Sequence, residues 1–128
     1  MDFLRVIVTG GRDFNDAKFV LTVLREYLSQ FYGERTVVMA SGCARNVDTF
    51  AEHFAYSTGI DFVPFPAKWE EYGPAAGPIR NEEMLREFKP HVVLAFPGGT
   101  GTAHMKEISR RAGVPVREFD PNSKGLDV

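Results

Sequence analysis

The sequence predicts a parallel α/β domain: one five-stranded sheet in the order 3-2-1-4-5, with helices on both faces. Two observations predict it. Five short apolar runs rich in β-branched or aromatic residues punctuate the 128-residue chain. Most are continuous rather than alternating, as strands covered on both faces are. Segments with helical spacing separate these runs, and strand–helix alternation implies right-handed crossovers within a parallel sheet.

The first strand is expected over Phe3 to Thr9. A helix over Ala17 to Phe31 follows, with Phe19, Val20, Val23, Leu24, Tyr27 and Leu28 along one face. The second strand covers Thr36 to Ala40. The helix after it, Val47 to Ser57, lines up Val47, Phe50, Ala51, Phe54 and Ala55. The third strand is Ile60 to Phe65. The stretch from Pro66 to Pro78 carries Trp69, Tyr72, Gly73 and Gly77, is too polar for a strand, and reads as a long loop of the kind that is usually functional. A short helix over Asn81 to Phe88 leads to strand four, His91 to Phe96. The last helix, Thr102 to Ala112, stops at Gly113 ahead of Pro115, and Val114 to Phe119 is strand five. Residues 1–120 then form one domain, and residues 121–128 a frayed tail.

Composition narrows the function. With 44% hydrophobic and 25% charged residues the chain is ordinary globular material, large enough to bury a core without staples. Fifteen basic against seventeen acidic residues leave a net charge of -2, which argues against a duplex nucleic-acid partner. A single cysteine, Cys43, excludes an internal disulfide framework, and three scattered histidines give no zinc-ligand spacing. Neither a metal nor an organic cofactor is expected. The opening MDFLRVIVTGGRD has too short an apolar run for a signal peptide, and no stretch approaches membrane-spanning length. The expectation is a soluble cytoplasmic domain without a membrane partner, its oligomeric state open.

Three turns carry the chemistry. Thr9-Gly10-Gly11-Arg12-Asp13 follows strand one, Ser41-Gly42-Cys43-Ala44-Arg45-Asn46-Val47-Asp48 follows strand two, and Pro97-Gly98-Gly99-Thr100-Gly101-Thr102 follows strand four. Each runs from a strand into a helix, at the sheet edge where open parallel sheets bind ligands. Glycines there admit a ligand close to the backbone, and helix-start amides suit an anion. The third turn lacks the Walker A spacing and lysine, and the first lacks G-x-G-x-x-G, so neither a P-loop NTPase nor an ordinary dinucleotide site is indicated. Arg80, after Gly77 and Pro78, is expected to open a helix, where a bound phosphate would offset its charge near the positive end of the dipole. Otherwise it is a surface arginine paired with Glu83 or Asp13. Arg12 and Arg45 either contact phosphate or brace a loop carboxylate. Asp48 either faces the ligand or is held by orphan amides at its helix start. Asp13 is a candidate for a ligand hydroxyl or a helix cap near Asn15. Trp69 and Tyr72 either stack on a base or pin their loop to the protein. His104 and Cys43 read as structural.

The motifs also carry a resemblance. PGGTGT, Pro97 to Thr102, resembles the PGGxGT stretch of the LOG-type phosphoribohydrolases, and Arg80-Asn81-Glu82-Glu83-Met84 resembles the Arg-Lys-x-x-Met segment before it, which adds Asn81 to the binding candidates. SGCARNVD, Ser41 to Asp48, is similar to the SGxARGxD motif of the DprA/Smf proteins. Taken with TGGRDF, the WEEYG loop, AAGPIRNEEML and AFPGGTGTAHM, the chain most resembles the small YspA-like members of the SLOG superfamily, from Val6 to Val116. That resemblance implies a Rossmann-like domain binding a nucleotide or a nucleotide-derived ligand, as a sensor or sequestering module. One position departs. LOG enzymes continue as PGGxGTxxE with a catalytic glutamate, and Met105 stands there; Glu107, about 200° further round a helix, cannot substitute. An N-glycosidic hydrolase therefore needs another carboxylate near the anomeric carbon, for which Asp13 and Asp48 are the candidates ahead of Glu83. The DprA similarity adds single-strand DNA binding as a weaker alternative.

Overall fold

The computed structural model describes residues 2–122. Five parallel strands, β1 (Phe3–Thr9), β2 (Thr36–Ser41), β3 (Asp61–Pro64), β4 (Val92–Ala95) and β5 (Val116–Glu118), form one sheet in the order β3-β2-β1-β4-β5. This is the predicted order, with β1 central and paired through Val6↔Met39 and Val6↔Val92. Strands three to five are shorter than their apolar runs. The backbone pairing nevertheless runs past the assigned ends: the amide of Phe96 donates to the Thr9 carbonyl and that of Phe119 to Ala95, both at 2.9 Å.

Two helices cover each face. On one, α1 (Ala17–Ser29) buries Val20, Leu24 and Leu28, and α2 (Val47–Thr58) buries Val47, Ala51 and Phe54, against Leu4, Val6 and Val8 of β1. On the other, α4 (Ala76–Phe88) and α5 (Thr100–Arg111) set Met84, Phe88 and Met105 on Ile7, Ala40 and Val93. Alternate residues of β1 thus point into two different cores, as a central parallel strand requires. Each fully buried aliphatic side chain contributes about 1.5–3 kcal/mol. Asp16 caps α1, its side chain accepting from the Phe19 amide at 3.1 Å, so the helix needs nothing from Asp13.

The stretch from Pro66 to Pro78 is not a loop throughout. Trp69–Tyr72 forms a helical turn, α3; Gly73–Ala75 is a 3₁₀ turn, and α4 begins at Ala76, five residues earlier than its spacing predicts. Pro78 is the third residue of α4, where its missing N–H would have had no acceptor anyway. Arg80 therefore lies past the first turn of α4 rather than opening it. The predicted tail is described only at Pro121 and Asn122, which form a turn; residues 123–128 lie outside the described residues.

Candidate functional site

At the carboxyl edge of the sheet, a cleft of about 490 Å3 opens between the turns after β1 and β4. Its floor and walls take Thr9, Gly10, Gly11, Arg12 and Asp13 from the first turn, Gly42, Ala44 and Asp48 from the second, and Gly99 to Thr102 from the third. Arg80, Asn81 and Met84 of α4, Trp69 and His104 complete it. Most residues singled out by the three turns therefore share one wall system. Ser41 is fully buried with an unpartnered Oγ, and Gly98, Arg45 and Tyr72 do not line this cleft.

The glycines divide by what surrounds them. A methyl group on Gly11 would sit 2.7 Å from Gly98 Cα and 3.0 Å from the Pro97 carbonyl oxygen. The Gly11 amide donates to that carbonyl at 2.9 Å, so the first and third turns lie directly on one another. Close packing of backbone on backbone accounts for these two glycines. Gly99 and Gly101 face open space. They flank the start of α5, which no side chain caps. The amides of Thr100, Gly101 and Thr102 have no intrahelical acceptor, and all three residues line the cleft.

Arg80 holds the second turn in place. Its Nη1 donates to the Gly42 carbonyl and, at 3.4 Å, to that of Phe65; its Nε donates to Asn81 Oδ1 at 2.9 Å. Neither Glu83 nor Asp13 is its partner. Among the described residues Nη2 makes no hydrogen bond, on a side chain that lines the cleft. Asn81 is buried, and its neighbours fix its amide: Oδ1 can only accept from Arg80, so Nδ2 faces Gly101 O and His104 Nδ1, both at 3.2 Å. His104 Nδ1 is then the acceptor, leaving the proton on Nε2, 3.8 Å from Glu82. His104 is the lining residue that sequence reasoning set aside; its signal was helical, three residues beyond Gly101 on the same face of α5.

Asp48 is the buried titratable group of the site, 6% exposed. Its Oδ2 accepts from the Ala44 amide at 3.1 Å, while Oδ1 is buried without a hydrogen-bond partner. Burial pushes its carboxyl up to about 6, outweighing the pull of the Ala44 amide, of the Arg80 and Arg12 guanidiniums, and of a Gly42 amide that falls short of a full hydrogen bond. Burial likewise lowers the pKa of Arg80. Asp48 thus ties down the turn before α2 through the Ala44 amide and lines the cleft.

Asp13 is a rim residue, 98% exposed and 3.4 Å from Arg45, whose Nε also donates to the Arg12 carbonyl. Arg45 braces the first turn, and Asn46 Nδ2 donates to that same carbonyl. The Arg12 guanidinium carbon lies 5.2 Å from the centroid of the Trp69 ring, a cation–π contact at the mouth. Met105 is fully buried in the core beneath α5. Glu107 is turned to solvent and paired with Arg111 at 3.0 Å. Neither reaches the cleft.

The family model described as the YspA, cpYpsA-related SLOG family matches residues 4–72, more than half of the chain. The chain belongs to that family. The SLOG domain is also 37% identical over 123 residues to the Gene 61 protein of Mycobacterium phage D29, covering 90% of this chain and 95% of that one. Its fold is Rossmann-like and matches the X-ray structure of TM1055 with a TM-score of 0.70 at 18% identity, over 88% of this chain and 72% of that one. It matches DNA processing protein A from Streptococcus pneumoniae with the same TM-score at 21% identity, over 96% of this chain but 52% of that longer protein. Among the described residues no helix is long and apolar enough to cross a membrane.

Proposed function

We propose that this SLOG domain binds a phosphorylated nucleotide, or a ligand derived from one, in the cleft at the carboxyl edge of the sheet. One observation carries the reading: the uncapped start of α5 and the unengaged Nη2 of Arg80 converge on a single cleft of about 490 Å3. Helix-start amides and a guanidinium together suit a phosphoryl group in charge and geometry. Asp48, which lines the cleft, offers a carboxylate to a sugar hydroxyl, and the exposed face of Trp69 offers an apolar wall for a base. The cleft volume falls within the range of small-molecule sites.

The test is calorimetric titration of nucleosides and their monophosphates against the wild type and Arg80→Ala. The variant should lose more affinity for the phosphorylated ligand than for the matching nucleoside. Equal losses would remove the phosphate assignment, because Arg80 also braces the Gly42 turn and its loss disturbs both ligands alike.

A second reading, an N-glycosidic hydrolase, is favoured by one specific observation: a carboxylate titrating at about 6 lines the cleft. Such a group has the poise of a general acid or base at neutral pH. Asp48 would then do work for which Met105, sealed in the core, has no means.

A further inference from the structure

We infer that the cleft continues into a second, anion-selective basin, and that the ligand is a nucleotide carrying two phosphoryl groups. The inference rests on the nucleotide reading above and names the ligand class within it. A cavity of about 330 Å3 adjoins the cleft, sharing Arg12, Gly42, Ala44, Trp69 and Arg80 with it and adding Cys43, Arg45, Pro66 and Ala67. The two differ in charge. The main cleft sets Asp13 and Asp48 against Arg12 and Arg80. Among the described residues, the second basin is lined by Arg12, Arg45 and Arg80 and by no carboxylate.

Two of the three guanidiniums, Arg80 and Arg12, feel the Asp48 carboxylate of the main cleft, while the residues described as lining the basin bring no carboxylate of their own. Arg45 has a single ion pair, with Asp13 at 3.4 Å, and both side chains are largely in solvent, where such a pair is worth little. Arg12 lies over Trp69, a contact that leaves its charge intact. Arg80 spends its bonds on backbone carbonyls and on Asn81. The start of α2, whose residue Asn46 makes no side-chain cap, adds its partial positive charge beside Cys43 and Arg45. A nucleoside monophosphate held by α5 and Arg80 would leave Arg12 and Arg45 facing the basin with only the solvent-exposed Asp13 pair between them. A second phosphoryl group would supply the counter-charge, and arginine forks suit phosphate oxygens better than lysine would. A pyrophosphate and a pair of phosphates on separate ribose carbons both meet this requirement.

The experiment titrates AMP, ADP and adenosine 3′,5′-bisphosphate, with the guanosine equivalents, against the wild type and Arg45→Gln by calorimetry. Arg45 is exposed, and among the described residues its guanidinium bonds Asp13 and the Arg12 carbonyl, so the variant should keep its fold, which a melting curve checks. In the wild type a second phosphate should raise affinity about tenfold or more, the worth of a charge-assisted hydrogen bond. ADP and the bisphosphate separate the two arrangements. Arg45→Gln should abolish the increment, costing the doubly phosphorylated ligands at least about tenfold more affinity than the monophosphate. An increment that is absent, that survives Arg45→Gln, or a loss shared equally by the monophosphate, would overturn the second basin and leave the nucleotide reading standing. If none of these nucleotides binds, both fall together.

Discussion

Asp48→Asn separates what the cleft carboxylate does for binding from what it costs the fold. The side chain is buried at the start of α2 and its carboxyl is raised from 3.8 to about 6, chiefly by desolvation. A group that holds its proton more tightly when folded weakens the fold as it ionises. Below about pH 4 both states are protonated and the burial costs nothing extra. As pH rises from there to about 6, the unfolded chain gives up the proton first and stability falls; above 6 the loss is complete. A gap of about two pH units, at about 1.4 kcal/mol each, makes the loss about 3 kcal/mol. Asparagine keeps the shape and an acceptor for the Ala44 amide without the charge. The variant should therefore match the wild type near pH 4 and exceed it by up to about 3 kcal/mol at pH 8. At about 4 °C per kcal/mol for a chain of this size, that is about 12 °C in Tm. Thermal melts of both proteins from pH 4 to 8 measure it, and parallel curves across that range would refute the assignment of a raised carboxyl. The same substitution should weaken nucleotide binding, because it removes the negative charge that Asp48 brings to the cleft wall. A variant that is more stable and binds less well would mark Asp48 as kept for the ligand.

Two glycine changes should move in opposite directions. Gly11→Ala forces backbone apart from backbone and should lower stability by about 1–3 kcal/mol in a denaturant titration. Gly101→Ala meets no neighbour and replaces a helical glycine, so it should raise stability by about 0.5–1 kcal/mol while reducing nucleotide affinity, measured by calorimetry. Release of free base from a panel of nucleoside monophosphates should stay at background; robust release abolished by Asp48→Asn would instead establish the hydrolase.

The fold was legible because its physics is local. A central parallel strand must be largely apolar on both faces, so β1 shows as an apolar run from Phe3 to Val8 broken only by Arg5, and α1 and α2 carry their buried stripes at helical spacing. The start of α4 was hidden because Gly77 and Pro78 weaken a helix anywhere but in its first turn, and that is where they fall. Reading them as punctuation displaced Arg80 to a helix terminus. The structure sets it one turn further along, where it reaches across to the carbonyls of Gly42 and Phe65. Sequence supplies the residue type and its rough position; a reach of thirty-eight residues back along the chain to a backbone carbonyl is a property of the closed sheet.

The site shows the same division more sharply. All three turns were visible as glycine-rich passages from strand to helix, yet their glycines serve different ends. Gly11 and Gly98 let two turns touch, whereas Gly99 and Gly101 leave a helix start open. Only the surroundings of the missing Cβ distinguish them, and those surroundings come from elements more than eighty residues apart. The neighbouring positions on α5 divide by angle alone: His104 faces the cleft while Met105, about 100° round, is sealed in the core. That one step also explains why a glutamate could not simply be restored at Met105. There it would be an unpaired charge among Ile7, Met84 and Val93, at a cost of several kcal/mol, and remote from any ligand. The carboxylates that do line the cleft are Asp13, exposed at its rim, and Asp48, buried and raised to about 6, so a proton transfer in the proposed hydrolase would fall to one of these rather than to position 105.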